Sequence, residues 1–300
     1  MTDGSEVVAG EAAARPATEP VAFGRRKEDR RGRTVRVAAV GDFHCGEKDG
    51  GMYREAFARV NDAADVLLLA GDLTRRGTPA EIDVVIRELQ DVRIPILAVL
   101  GNHDHESGQT DKVNEALRAR GVHLLDEAPF ELNEHVGFAG VKGFMGGFGR
   151  YTLTAFGEGE TKAFVGTSLD EVQKLEYSLR RLSTPVRVVL LHYAPIVDTV
   201  LGEPEQIYPF LGNDRLLEPI DRFKAAVAFH GHAHHGTFRG ETPGGVPVFN
   251  VSMLRVKEDT GAELFYVHEI PLPREGAEHE PEPDVEHPSP GERVAAGAGG

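Results

Sequence analysis

Apolar and polar positions alternate in blocks through the middle of the chain. Runs with strand character are Val35 to Val40, Val66 to Ala70, Ile94 to Leu100, Val186 to Leu191 and Ala226 to Phe229, each four to seven residues long and mostly aliphatic. Helical periodicity fills intervals between them: Tyr53 to Ala63, Pro79 to Leu89, Asp111 to Arg120, Leu169 to Leu182 and Leu216 to Phe223. Thr78 is placed to cap the second of these, and Pro79 suits its first turn, where no backbone N–H is needed. This rhythm predicts an α/β fold whose first half is a mostly parallel sheet covered by helices. Shorter strands, expected at His123 to Leu125, Val136 to Val141, Val246 to Val251 and Leu264 to Ile270, predict a second, more mixed sheet.

The periodicity stops at both ends. Residues 1 to 34 and 274 to 300 read as disordered tails around one domain at 35–273, the C-terminal tail being acidic. The stretch "RRKEDRRGR", Arg25 to Arg33, reads as a solvated linker because Glu28 and Asp29 weaken its positive field. The 300 residues are 40% hydrophobic, enough for a substantial core. With 33 Lys and Arg against 48 Asp and Glu, the formal charge of −15 disfavours nucleic acid and anionic membranes as partners. A small anionic substrate stays open, since a bound cation inverts the local field. Cys45 is the single cysteine, so no intrachain disulfide forms, and neither a signal peptide nor a membrane span is expected. A cytoplasmic, soluble protein is expected.

The residues just after each strong apolar run change the picture. "GDFH" comes after Val40, "GD" after Ala70, "GNHD" after Leu100, "HYAP" after Leu191 and "HGHAH" after Phe229. Ligands of open α/β sheets bind at the carboxyl ends of the strands. One edge would then gather Asp42, His44, Asp72, Asn102, His103, Asp104, His192, His232 and His234. Each motif alone has a plain alternative. A "GD" is commonly a turn, "GNHD" an Asn/Asp turn, and the crowded "HGHAHH" fits a solvated loop or buried histidines as well as a metal trap. Together they put an oxygen or nitrogen donor on every strand end and no Lys or Arg. Carboxylate, amide and imidazole donors without thiolate suit Mn, Fe, Co, Ni or Zn. Three oxygen-bearing residues and four histidines exceed what one four-coordinate ion needs, and two divalent ions sharing a carboxylate would use all seven.

In order and spacing these motifs resemble the calcineurin-like metallophosphoesterase superfamily over about residues 35 to 270. The resemblance implies a four-layer αββα sandwich with two mixed sheets between helices. It implies Asp42, His44 and His234 on one ion, Asn102, His192 and His232 on the other, and Asp72 between them. It also places His103 just outside the ligands and implies that Asp104 orients its ring. Two close ions activate a shared water for in-line attack at phosphorus, and a protonated His103 would serve as general acid to the leaving alkoxide. The text "GDLTRRG" and "LGNHD" departs from the "GDxVDRG" and "RGNHE" of the phosphoprotein phosphatases. The pattern is more similar to the branch of bacterial cyclic-nucleotide phosphodiesterases, which implies a small phosphorylated substrate, a phosphodiester or nucleotide. Alternatives are a phosphomonoesterase or protein phosphatase of the same superfamily, a non-catalytic binding scaffold and a metal buffer. A scaffold would tolerate lost ligands, and a buffer would not need Asp72 and Asn102 on distant strands.

Other features carry less. The Gly-rich stretch Lys142 to Glu160 is either a loop presenting aromatics to a leaving group or a surface connection, and Glu203 to Asp214 raises the same pair of readings. Cys45 is expected as a small buried filler rather than an oxidant sensor, His230 as a support to the ligands, and His235 as exposed.

Overall fold

The computed structural model describes residues 34–273. Its first half runs β1 (Thr34–Val40), α1 (Arg54–Ala63), β2 (Val66–Ala70), α2 (Pro79–Glu88), β3 (Ile96–Val99), α3 (Asn102–His105), α4 (Thr110–Arg120) and β4 (His123–Leu124). Then come β5 (Phe130–Glu131), β6 (Val136–Val141), α5 (Gly159–Arg180), β7 (Val186–Leu191), α6 (Tyr208–Leu211) and α7 (Leu217–Arg222). The described part closes with β8 (Val227–His230), β9 (Arg239–Glu241), β10 (Pro247–Asn250), α8 (Met253–Thr260) and β11 (Tyr266–Pro271). Apart from Thr34, the two predicted tails and the basic stretch lie outside the described residues. No helix among the described residues is long and apolar enough to cross a membrane.

Two sheets form. The first has the order β11-β1-β2-β3-β4, parallel except for β11, which pairs antiparallel with β1 in the register Val37 to His268. The second has the order β5-β6-β7-β8-β10-β9, with a parallel centre and antiparallel edges at β5 and β9. Successive side chains of a strand point to opposite faces, so each buried strand feeds two cores. Val35, Val37, Ala39, Leu68 and Val99 of the first sheet meet Phe138, Val188, Leu190 and Phe229 of the second. On the outer face of the first sheet, Ala38, Val40, Leu67 and Leu69 take Phe57 and Val60 of α1, Ile82 and Val85 of α2, and Leu117 of α4. On the outer face of the second, Val141, Val189 and Leu191 take Leu175 and Leu179 of α5 and Ile220 of α7. The result is the expected αββα sandwich.

The allocation of strands differs from the sequence expectation. β4 and β11, expected in the second sheet, complete the first, while β7 and β8 build the second. Period-two patterning reports which face of a strand is buried but says nothing of which neighbour it pairs with. α5 begins at Gly159, ten residues before the predicted start, because the exposed polar residues and Gly166 of its first turns conceal the periodicity. α2 begins as predicted: the Thr78 hydroxyl accepts from the Glu81 N–H at 3.3 Å and the Glu81 carboxylate accepts from the Thr78 N–H at 3.4 Å.

Candidate metal centre

Strands β1, β2 and β3 end on one side of the seam between the sheets, and β7 and β8 end on the other. Short turns there bring the polar residues inward. Among the described residues five non-glycines have positive φ, and four of them are Asp42 (58°), His44 (44°), Asp72 (50°) and His232 (70°). Such backbone is costly for residues with a Cβ and persists only where surrounding contacts impose it. The contacts are visible. Asp42 N–H donates to the Gly71 carbonyl at 3.0 Å and His44 N–H to the Asp72 carbonyl at 3.1 Å, pairing the two turns. Gly101 lies so close to Asp72 that a Cβ there would collide with its carboxylate, so this position needs glycine for approach rather than for φ.

Three overlapping groups of side chains result, each able to hold a metal ion: Asp42, His44 and His234; His44, Asp72 and His103; and Asp72, His192 and His232. Within each, one ligand atom per residue lies within 4.8 Å of the others. His234 Nε2 is 3.2 Å from Asp42 Oδ1 and 3.4 Å from His44 Nε2. His44 Nε2 and His103 Nε2 each stand 4.0 Å from Asp72 Oδ2, and His192 Nε2 stands 3.5 Å from Asp72 Oδ1. Asn102 Oδ1 joins at 3.0 Å from His192 Nε2. All seven residues expected around two ions, together with His103, therefore meet; the first and middle groups share His44, and the middle and last share Asp72.

Carbonyl partners fix the imidazoles. A carbonyl only accepts, so His192 Nδ1–H donates to Ala70 O at 2.9 Å and His232 Nε2–H donates to Phe210 O at 3.1 Å. In the neutral ring this leaves His192 Nε2 and His232 Nδ1 as bare lone pairs. His103 Nδ1–H likewise donates to Arg75 O at 2.7 Å, which turns Nε2 toward the cluster.

Electrostatics tests whether this set suits a cation. Burial, then the charges of Asp42 and Asp104, pushes the Asp72 carboxyl far above the usual carboxylate range. Burial acts the same way on Asp42, but the hydrogen bond from His234 leads the effects that outweigh it and hold that carboxyl low. Burial lowers His44 to about 4 against the pull of Asp42, and holds His192 well below the ordinary histidine value. Buried acids crowded against neutral imidazoles are unfavourable alone and are relieved by positive charge placed among them. The residues fit divalent ions of the borderline class.

Asp104 departs from its expected role. It is fully buried, and its carboxylate accepts from the N–H groups of Leu73 (3.2 Å), Thr74 (2.9 Å) and Gly101 (2.9 Å) and from the Thr74 hydroxyl at 2.7 Å. With its acceptors spent on binding the turns after β2 and β3 together, it does not orient the His103 ring; the Arg75 carbonyl does. His230 is buried and satisfied, donating from Nδ1 to Gly231 O and meeting the Thr199 hydroxyl at Nε2, both at 2.7 Å. His235 is exposed. Cys45 is buried, and burial pushes its thiol up to about 12, which suits a filler.

Sequence reasoning missed the carbonyls of Ala70, Arg75 and Phe210, for which side-chain chemistry gives no signal. It also missed Asn250, whose amide donates to the carbonyls of Ala233 (2.6 Å) and Thr199 (3.4 Å) and so steadies the histidine turn. Asn250 ends β10, and the rule that polar residues gather at strand ends would have found it.

No curated protein sequence matches the chain. Among solved structures, the phosphopantetheinyl hydrolase of Mycobacterium tuberculosis is similar with a TM-score of 0.55 at 15% identity, over 82% of this chain and 98% of that one. The anchor GAP50 of the inner membrane complex of Plasmodium is similar at 0.49 and 13%, over 79% and 81%. The TT1561 protein of Thermus thermophilus is similar at 0.48 and 15%, over 78% and 98%. The family model for calcineurin-like phosphoesterases matches residues 35–236, a span that carries every residue of the three groups. The chain thus belongs to the calcineurin-like phosphoesterase family, whose members are metal-dependent phosphoester hydrolases.

Proposed function

We propose that the protein is a dinuclear phosphodiesterase acting on a small phosphodiester or nucleotide. The observation that carries the reading is the overlap of the three donor groups through Asp72 and His44. Asp42, His44 and His234 would hold one ion, Asn102, His192 and His232 the other, and Asp72 both. Bound there, a divalent pair supplies an acidified water and charge neutralisation for the phosphoryl oxygens.

The chain's own residues supply the rest. The Ala70 and Phe210 carbonyls keep His192 and His232 in the tautomers that leave His192 Nε2 and His232 Nδ1 without a proton. His103 is the general acid. Its Nδ1–H is held by the Arg75 carbonyl, so a protonated ring carries its second N–H at Nε2, facing the cluster, and releases it to the departing alkoxide. Asp72 Oδ2 stands 4.0 Å from Nε2 and Glu106 Oε2 stands 3.8 Å from Nδ1. Asp104 keeps the turns bearing Asp72 and Asn102 in register. The guanidinium of Arg75 is engaged with the His44 carbonyl at 3.1 Å and with Asp49 at 2.8 Å. The departure of "GDLTRRG" and "LGNHD" from the phosphoprotein phosphatase pattern supports a small substrate over a phosphoprotein.

The test is reconstitution with Mn, Fe, Co, Ni or Zn, an ion count per chain, and turnover of bis-p-nitrophenyl phosphate against p-nitrophenyl phosphate. Two ions and faster diester turnover are expected. A single ion overturns the dinuclear assignment, and faster monoester turnover overturns the substrate class.

A further inference from the structure

Seven of the ten large hydrophobic side chains exposed among the described residues lie in two segments: Tyr151, Leu153 and Phe156 in one, Val197, Leu201, Ile207 and Phe210 in the other. Elsewhere among the described residues only Met52, Leu169 and Tyr177 are exposed in this way. The segments are fastened to each other: Gly146 N–H donates to the Pro209 carbonyl at 3.0 Å, Gly147 N–H to that of Gly212 at 2.9 Å, and the Thr152 hydroxyl to Asp214 at 2.9 Å. Beneath them Phe148, Leu211, Ala194, Val200 and Ala233 form a small buried core with Tyr208. The rim is therefore built, with its underside packed and seven apolar side chains exposed beside Arg150, Glu158, Asp198 and Glu205. It also adjoins the metal centre, because the carbonyl of Phe210 is the acceptor for His232 Nε2 at 3.1 Å, while the Phe210 side chain is 55% exposed.

We propose that this rim receives an apolar ester group of the substrate, with Phe210 as its specificity-determining side chain. The inference rests on the phosphoester-hydrolase reading and narrows its substrate class. An apolar patch kept in water is unfavourable unless something covers it. A substrate whose phosphoryl group sits in the centre places its ester substituent within reach of the residue that supports His232. An aromatic base and an alkyl chain share the required chemistry, and Phe210 offers a ring face to the first and apolar area to either.

The experiment is calorimetric titration of the Mn-loaded protein with methyl-, phenyl- and hexylphosphonate, which are not hydrolysed. Phenyl- or hexylphosphonate is expected to bind at least about tenfold more tightly than methylphosphonate. The larger of the two gains separates a planar from an alkyl substituent. Phe210→Ala is expected to reduce that ratio to about twofold, and Leu153→Ala, on the opposite segment, to reduce it partway. The ratio cancels any loss common to all three ligands. Equal affinities in the unaltered protein, or an unchanged ratio in Phe210→Ala, overturn the inference while leaving phosphonate binding, and with it the phosphoester reading, in place. A change in oligomeric state of Phe210→Ala with no change in ratio assigns the rim to protein contact and also overturns it. Binding of none of the three removes the phosphoester reading itself.

Discussion

The two outer groups of the centre use the same chemistry in different surroundings. His192 is fully buried and Asp72 nearly so, whereas the side chains of His44 and His234 are 23% and 38% exposed. On the buried side, carbonyls fix the tautomers of His192 and His232 and burial keeps both rings neutral, so their lone pairs are available before any ion arrives. On the open side His234 is bound to Asp42, and that hydrogen bond raises its pKa above the ordinary histidine value. Similar donors therefore give one half whose imidazoles are held ready for a cation and one half whose His234 is tied to Asp42. The hydrogen bond between His234 and Asp42 makes the difference, and residue type does not.

Removing the shared residue should erase the contrast. Asp72→Asn is expected to lower the ion count on both sides and to reduce turnover by at least about a thousandfold, the scale of losing a preorganised charge contact. Ion counting with diester kinetics checks it, and retention of one ion would show that the halves do not share Asp72. His103→Asn should keep both ions yet slow turnover by about a hundredfold or more, most severely on esters with poor leaving groups. Equal losses on activated and unactivated esters would remove His103 as the acid. In Asp104→Asn the loss should appear instead as stability, about 1–3 kcal/mol in denaturant melts, with no dependence on leaving group.

His192→Ala and His234→Ala probe the halves singly. The first also strips the partner from the buried Ala70 carbonyl and should destabilise the ion-free protein by about 1–3 kcal/mol, while the second, which leaves Asp42 its bonds from the His232 N–H, should cost less and weaken one ion only. Equal melting shifts would break the comparison. The smallest effect is the dependence on pH. The His234–Asp42 pair contributes stability to the ion-free protein that is full below the unfolded histidine pKa and is lost as pH rises through the raised folded value. Ion binding displaces that same proton. As pH falls from about 8 to about 5 the open half should thus release its ion first, while the depressed values of His192 and His232 hold the buried half loaded. Calorimetric titration across this range reads it, and simultaneous release would contradict it.

The sequence was most legible where side chains announce chemistry at the ends of apolar runs. Asp42, His44, Asp72, Asn102, His103, His192, His232 and His234 could all be gathered on one edge because strand ends share a direction. Their division between two sheets was hidden, since β7 and β8 look like any other buried parallel strand and pairing partners leave no mark on period-two patterning. Asp104 was misread for a related reason. Its neighbour His103 is adjacent in sequence, but the carboxylate turns toward the backbone of residues 73, 74 and 101. The supports at Ala70, Arg75 and Phe210 act through main-chain oxygen, which every residue carries.

The hydrogen bond from His192 to Ala70 has a mechanical side. It runs from the end of β7 to the end of β2, and Gly41 N–H reaches across to the Val251 carbonyl at 2.8 Å. The two sheets are buttoned together at the rim where the donors gather, so sliding of one sheet past the other is felt first as a change in spacing between Asp72 and His192.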